Sequence, residues 1–180
     1  FPFIYARRLG ADMKFCARRG LVGVDMETWR CHHASQGLNL YVLCRLLADP
    51  SRSVEAVIDE YCRAAFGKAA PAMKAYFDLC EKVTQRLVET GFPASRSEKH
   101  AYYGKLFDAA FVREARVLFF RARQMESAPA ALGRIAFIEH GLNYADYAGK
   151  ALLKYYRMAV LGEDPAGALQ AIADKEAFMS

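Results

Sequence analysis

The sequence predicts a mainly α protein, namely the last strand and helix of an incomplete (β/α) barrel followed by an all-α helical bundle. Two observations lead to this prediction. A short apolar segment, Leu21-Val22-Gly23-Val24, directly follows a helical pattern that stops at Gly20. From Leu38 onward, every periodic segment has the helical period. The predicted domains are a barrel remnant over residues 1–50 and a helical bundle over residues 51–180.

The first fifty residues carry the α/β pattern. Residues 4–19 form the first predicted helix, and Gly20 supplies its left-handed stop. The segment 21–24 is short, apolar and rich in β-branched residues, which predicts a buried strand. A polar stretch over residues 25–37 lacks periodicity and is predicted as a loop. A second helix follows from Leu38 to the Asp49-Pro50 step, with a predicted apolar stripe of Leu40, Leu43, Cys44 and Leu47.

The remaining residues predict a succession of amphipathic helices. Ser53 caps a helix that Gly67 stops, and Pro71 opens another that ends near Gly91. The stripe of this later helix is predicted to be buried, and it comprises Met73, Tyr76, Phe77, Cys80, Val83 and Leu87. Residues 92–104 are predicted as a loop. Further helices are predicted over residues 108–125, 129–161 and 164–178.

Composition limits the possible functions. The chain of 180 residues is 54% hydrophobic and 25% charged, which predicts a folded protein. Charged residues interrupt every apolar window, so no membrane span is predicted. The net charge is +5, but basic and acidic residues alternate along the helices, which argues against nucleic-acid binding. The basic group formed by Arg7, Arg8, Lys14, Arg18 and Arg19 is predicted to be an exposed helix face.

The five cysteines are predicted to be free and mostly buried, since four of them fall on apolar helix faces. No Cys-x-x-Cys pair is present, so neither a zinc ribbon nor a thioredoxin-type site is predicted, and no cofactor is expected. Cysteine usage does not fix the compartment, and a secreted or periplasmic location of the full-length protein stays open. The chain begins with Phe1 rather than Met, which predicts that an upstream part of the protein is missing.

The polar loop after residue 24 holds the candidate site residues. In α/β barrels the carboxyl ends of the strands carry the substrate and catalytic groups. Asp25 and Glu27 are two residues apart at such an end, so both side chains could face the same mouth. Trp29 is the only tryptophan and follows them closely. Structural roles are the alternatives, with either carboxylate pairing with an arginine or capping a helix, and with Trp29 packing onto the barrel rim.

The neighbouring group Cys31, His32 and His33 contains metal-ligand types. Adjacent residues seldom complete a tetrahedral site without a more distant ligand, so no metal is predicted. A Cys31–His33 nucleophile pair is disfavoured too, since it lacks an orienting third group.

Several motifs resemble one known family. Residues 20–24 look like its last barrel strand, and Leu38-Asn39-Leu40-Tyr41-Val42 looks like its closing helix. The segment from Ile58 to Tyr76, with Phe66-Gly67 and Ala69-Ala70-Pro71, is similar to its junction into a helical region. The stretch from Gly20 to Tyr76 therefore resembles the bacterial family called domain of unknown function 4838. A tryptophan that this family commonly has before the Asp-Pro step is Ala48 here.

The resemblance implies a glycoside-hydrolase-like protein with a TIM barrel and a C-terminal helical region. The implied substrate is a polysaccharide or an oligosaccharide. Asp25, Glu27 and Trp29 are the candidate sugar contacts because of their position after the predicted strand. The implied partner of the helical part is the upstream barrel of the same chain, so this chain alone is expected to be inactive. The alternative function is a non-catalytic helical module for protein–protein or intramolecular packing.

Overall fold

The computed structural model describes residues 1–24, 33–91, 95–162 and 165–179, and it is mainly α-helical. A short 3₁₀ turn, Gly67–Ala69, joins the third and fourth α-helices. The α-helices of the described residues are α1 (Ala6–Arg18), α2 (His33–Ala48), α3 (Val54–Phe66), α4 (Ala70–Thr90), α5 (Arg96–Leu106), α6 (Ala109–Met125), α7 (Pro129–Leu161) and α8 (Pro165–Met179).

The structure confirms most of the predicted helices. Gly, Pro and capping residues mark their ends, which is why the sequence could predict them. Gly20 follows α1 with φ of 82°, a conformation that costs glycine little. Asp108 caps α6 by accepting a hydrogen bond from the Phe111 amide at 2.9 Å. The α4 stripe predicted from the sequence is buried along its whole length.

Two predicted loops are partly helical. Residues 33–37, predicted as the end of a loop, form the first turn of α2. Residues 96–104, predicted as loop, belong to α5. A capping box starts α5, in which the Ser95 hydroxyl accepts from the Glu98 amide and the Glu98 carboxylate accepts from the Ser95 amide. Such a box satisfies backbone donors that the first turn would otherwise leave unpaired.

The predicted buried strand at residues 21–24 is not present in this chain. Leu21, Val22, Gly23 and Val24 have irregular backbone and are exposed, and Val22 is fully exposed. A strand needs a neighbouring strand to pair its backbone groups, and the described residues contain none. These four residues therefore lie in solvent as an unpaired apolar segment.

One hydrophobic core connects the helices on both sides of residue 50. It takes side chains from α1 to α4 and from α6 and α7, including Leu38, Val57, Phe77, Phe119 and Ile135. The division into domains at residue 50 stays a prediction, and the helices that flank this position are in contact.

Helices α3 and α4 pack against each other through apolar side chains. The rings of Tyr61 and Phe77 lie 5.9 Å apart, edge to face. Cys62 and Cys80 are buried, whereas Tyr61 is only half-buried. Helix α3 therefore packs against the apolar stripe that the sequence predicts for α4.

The second half of the long helix α7 extends the bundle. It packs against α5, where Gly104 and Gly149 meet, and against α8, where the Tyr147 and Phe178 rings stack at 5.0 Å. In the part of the chain that the structure describes, no helix is both long and apolar enough to cross a membrane.

Candidate functional site

The predicted sugar contacts Asp25, Glu27 and Trp29 lie outside the described residues, as do Cys31 and His32. The described chain reaches Val24 on one side of this segment and resumes at His33 on the other. His33 is exposed at the first turn of α2. The described residues that flank this segment are residues 20–24 and the start of α2.

The start of α2 is held by close helix packing. A methyl group at Gly141 of α7 would come within 2.8 Å of the Ala34 carbonyl oxygen, so the two backbones are nearly in contact. A methyl group at Gly37 would lie 3.4 Å from the Tyr61 hydroxyl, which is an ordinary van der Waals distance. Gln36, between these two contacts, is buried. Gly141 therefore allows α7 to approach α2 more closely than a residue with a side chain would.

Asn39 joins α2 to the beginning of the chain. Its side-chain oxygen accepts a hydrogen bond from the Tyr5 amide at 3.0 Å, and its side-chain nitrogen donates to the Phe3 carbonyl at 2.7 Å. Asn39 is 3% exposed, so water cannot replace these partners. This amide fixes residues 3–5 relative to α2.

Helix α2 has two apolar faces. The inner face is buried and comprises Leu38, Val42, Leu43 and Leu46. The outer face comprises Leu40, Cys44 and Leu47, of which Cys44 and Leu47 are exposed. The predicted stripe is therefore wrong in part, since only its Leu43 is buried. An almost continuously apolar helix offers more than one possible stripe, and the period alone does not choose between them.

The outer face of α2 lies beside the unpaired apolar segment. Leu21, Val22 and Gly23 line a small depression together with Leu46 and Leu47. Residues 21–23 therefore meet the outer face of α2 at Leu47, and the segment and this face together are called the outer apolar surface below. It is defined by residues 21–24 with Leu40, Cys44 and Leu47.

A groove of about 810 Å³ lies between residues 4–8 and α4. Arg7 lies in this groove and joins three helices. Its guanidinium pairs with Glu55 at 2.6 Å, with Asp78 at 2.8 Å and with Glu81. The Glu81 carboxylate also accepts a hydrogen bond from the Arg7 amide at 2.8 Å.

The prediction that the basic residues of α1 form a purely exposed face is wrong at Arg7, which is half-buried. Burial alone would lower the pKa of Arg7, but the hydrogen bonds to its three carboxylate partners outweigh burial and raise it. Each of the three carboxylates already has a guanidinium partner, so the cluster suits helix attachment rather than proton transfer. No sequence signal points to this cluster, because Glu55, Asp78 and Glu81 lie 48, 71 and 74 residues from Arg7 along the chain.

A second ionic cluster lies on the surface between α2 and α3. Glu60 accepts a hydrogen bond from the Tyr41 hydroxyl at 2.5 Å and another from Arg52, and Arg45 pairs with it at 2.9 Å. These contacts lower the pKa of Glu60 to about 2. The hydrogen bond from Tyr41 is the largest cause of this shift, and the hydrogen bond from Arg52 is the next. This cluster fixes the turn around Asp49 and Pro50.

The described cysteines are all free thiols, and they differ in exposure. Cys44 is exposed, which contradicts its predicted burial, and Cys16 is half-buried. Burial raises the pKa of the Cys62 thiol to about 12 and raises that of Cys80 as well. Among the residues that the structure describes, no group of three or more His, Cys, Asp or Glu side chains could hold a metal ion.

Comparison with known proteins gives a family match for the first part of the chain. Residues 1–78 match the family described as Domain of unknown function (DUF4838). The match confirms the family resemblance found between Gly20 and Tyr76, and it includes the candidate loop. It ends at Asp78, one of the three partners of Arg7. No curated protein and no solved structure matches this chain.

Proposed function

We propose that this chain is the C-terminal part of a glycoside-hydrolase-like, carbohydrate-active protein. A barrel preceding the described helices would hydrolyse glycosidic bonds in a polysaccharide or an oligosaccharide, with residues 1–50 as its last part. The observation that carries the proposal is the outer apolar surface. It combines an unpaired apolar segment, residues 21–24, with an exposed apolar face of the helix that follows.

The two faces of α2 match a helix between two layers. A helix that is apolar around most of its circumference is normally buried on all sides. The bundle covers the inner face of α2, and a parallel sheet would cover the outer face formed by Leu40, Cys44 and Leu47. In a βα unit the strand precedes its helix and lies beneath it, which is the chain order of residues 21–24 and α2.

The loop between that strand and α2 would then lie at the barrel mouth. Glycoside hydrolysis generally uses two carboxyl groups, about 5 to 5.5 Å apart for retention and about 6.5 to 9.5 Å apart for inversion. Glu27 and Asp25 would contact sugar hydroxyls there, and Trp29 would stack on the apolar face of a sugar ring. The close contact of Gly141 with Ala34 and the Asn39 hydrogen bonds would hold the C-terminal end of this loop.

The test compares the longer gene product with this 180-residue chain. We expect the longer protein to release reducing sugars from a polysaccharide panel and the 180-residue chain to release none. In the longer protein, Glu27→Gln keeps the side-chain shape but removes the charge. Losing one charge-assisted hydrogen bond should weaken sugar binding or turnover by about 10 to 150 fold.

The matched control is Glu176→Gln, which removes a charge from the exposed face of α8. We expect it to leave turnover unchanged. Glu27 would be structural if Glu27→Gln lowered the melting temperature while activity per folded molecule stayed constant. If the longer protein hydrolysed no glycan, the catalytic proposal would be wrong and the non-catalytic helical module would be the better description.

A further inference from the structure

The groove beside Arg7 has the size and the lining of a small-molecule site. Its volume of about 810 Å³ falls within the range of roughly 300 to 1,000 Å³ that such sites occupy. One wall is formed by residues 4–8 and the other by the 78–88 face of α4. The lining combines the half-buried Tyr5 ring and the exposed Val88 with charged groups. The groove thus offers an apolar platform beside a polar end.

The charges of the polar end are almost balanced. Arg7 is paired with carboxylates, and Arg8 pairs with Asp12 at 3.2 Å. Lys82 lines the groove, is exposed, and has no ion-pair partner among the described residues. An anionic ligand would meet Asp78 and Glu81 in the lining, and a cationic ligand would meet the basic groups. The groove therefore favours an uncharged ligand.

We propose that this groove binds a short, uncharged oligosaccharide. Sugar hydroxyls both donate and accept hydrogen bonds, so they can use the free lone pairs of the Asp78 and Glu81 carboxylates together with the Lys82 ammonium. The apolar face of a sugar ring matches the Tyr5 ring, as aromatic side chains with a polar atom often contact such faces. Val88 extends the apolar platform along α4.

This inference rests on the proposed carbohydrate activity, but it concerns a binding site away from the candidate loop. The test titrates the ¹⁵N-labelled 180-residue chain with cellohexaose, xylohexaose and mannohexaose, and with trigalacturonic acid as the anionic comparison. We expect at least one neutral sugar to shift amide signals within residues 4–8 and 81–88. Signals of α6 should not move.

Val88→Asp introduces a charge at an exposed position and should leave the fold intact. We expect it to weaken the binding of the neutral sugar about tenfold, since the charge must lose water next to the bound ring. Val117→Asp on α6 is the matched control, because Val117 is an exposed valine outside the groove. It should not change the affinity.

Three results would overturn the inference. They are binding of trigalacturonic acid alone, signal changes that map elsewhere, and the absence of any change with all three neutral sugars. Hydrolysis by the longer protein is measured separately through Glu27→Gln. A failed titration with intact hydrolysis would therefore reject the groove site and leave the proposed function standing.

Discussion

Replacing Gly141 with alanine would place a methyl group against the backbone of α2. The added carbon would lie 2.8 Å from the Ala34 carbonyl oxygen and 3.0 Å from its carbonyl carbon. Backbone atoms cannot rotate away as the end of a flexible side chain can. Helix α2 or helix α7 must therefore shift, and the start of α2 is the end that follows the candidate loop.

Two opposing effects set the size of the change. Alanine is favoured over glycine within a helix by up to about 1 kcal/mol. Excess volume at a tightly packed contact typically costs about 1 to 3 kcal/mol. Gly133, on the same helix, isolates the first effect, because a methyl group there would meet nothing within 4 Å. We expect Gly133→Ala to raise the free energy of unfolding by about 0.5 to 1 kcal/mol.

Gly141→Ala should lower the free energy of unfolding relative to Gly133→Ala by about 1 to 3 kcal/mol. Urea unfolding followed by circular dichroism measures this difference. In a protein of this size, each kcal/mol corresponds to about 2 to 4 °C in melting temperature. Equal stabilisation by the two substitutions would refute the close contact between α2 and α7 at Gly141.

Three further predictions concern side chains whose contacts are given above. Asn39→Ala leaves the part-buried Tyr5 amide and Phe3 carbonyl without their side-chain partner, so urea unfolding should show a loss of about 1 to 3 kcal/mol, and an unchanged value would contradict these hydrogen bonds. The folded pKa of Glu60 lies below its usual 4.5, so its contribution to stability is complete above pH 4.5 and is lost as the pH falls towards about 2. Glu60→Gln should weaken the dependence of the melting temperature on pH in that range, and an unaltered pH profile would count against the cluster. In the native chain, iodoacetamide should modify Cys44 before Cys62 and Cys80, as read by peptide mass spectrometry, and equal rates would disagree with their burial.

The sequence predicts the long amphipathic helices well, because their periodicity and end signals agree. The α4 stripe shows this agreement, since Pro71 opens the helix, Gly91 ends it and the six predicted stripe residues are buried. Helix α5 was missed although Ser95 and Glu98 form a capping box, since the loop prediction relied on its weak apolar period. A capping box is a short local sequence motif, so it can be recognised even where the helix has no apolar stripe.

Contacts between distant residues are less accessible to sequence reasoning. Arg7 lies 48 residues from Glu55 and 74 from Glu81 along the chain, so no local pattern indicates that they meet. The approach of α2 to α7 at Gly141 is equally non-local. The predicted roles of Asp25, Glu27 and Trp29 depend on a barrel mouth, so they stay predictions.

The outer apolar surface leads to the last prediction, because a covering sheet would change how it responds to mutation. Leu47→Gln replaces an exposed leucine in this chain, and substitutions at exposed positions usually change stability by no more than about 0.5 kcal/mol. In the longer protein that we propose, Leu47 would face the barrel, and the same change would bury an amide without a partner at a cost of about 1 to 3 kcal/mol. Val117→Gln on α6 is the control and should be neutral in both proteins. Thermal unfolding of both variants, in the 180-residue chain and in the longer protein, shows whether the effect of Leu47→Gln depends on the added residues. A neutral Leu47→Gln in the longer protein would mean that no sheet covers α2.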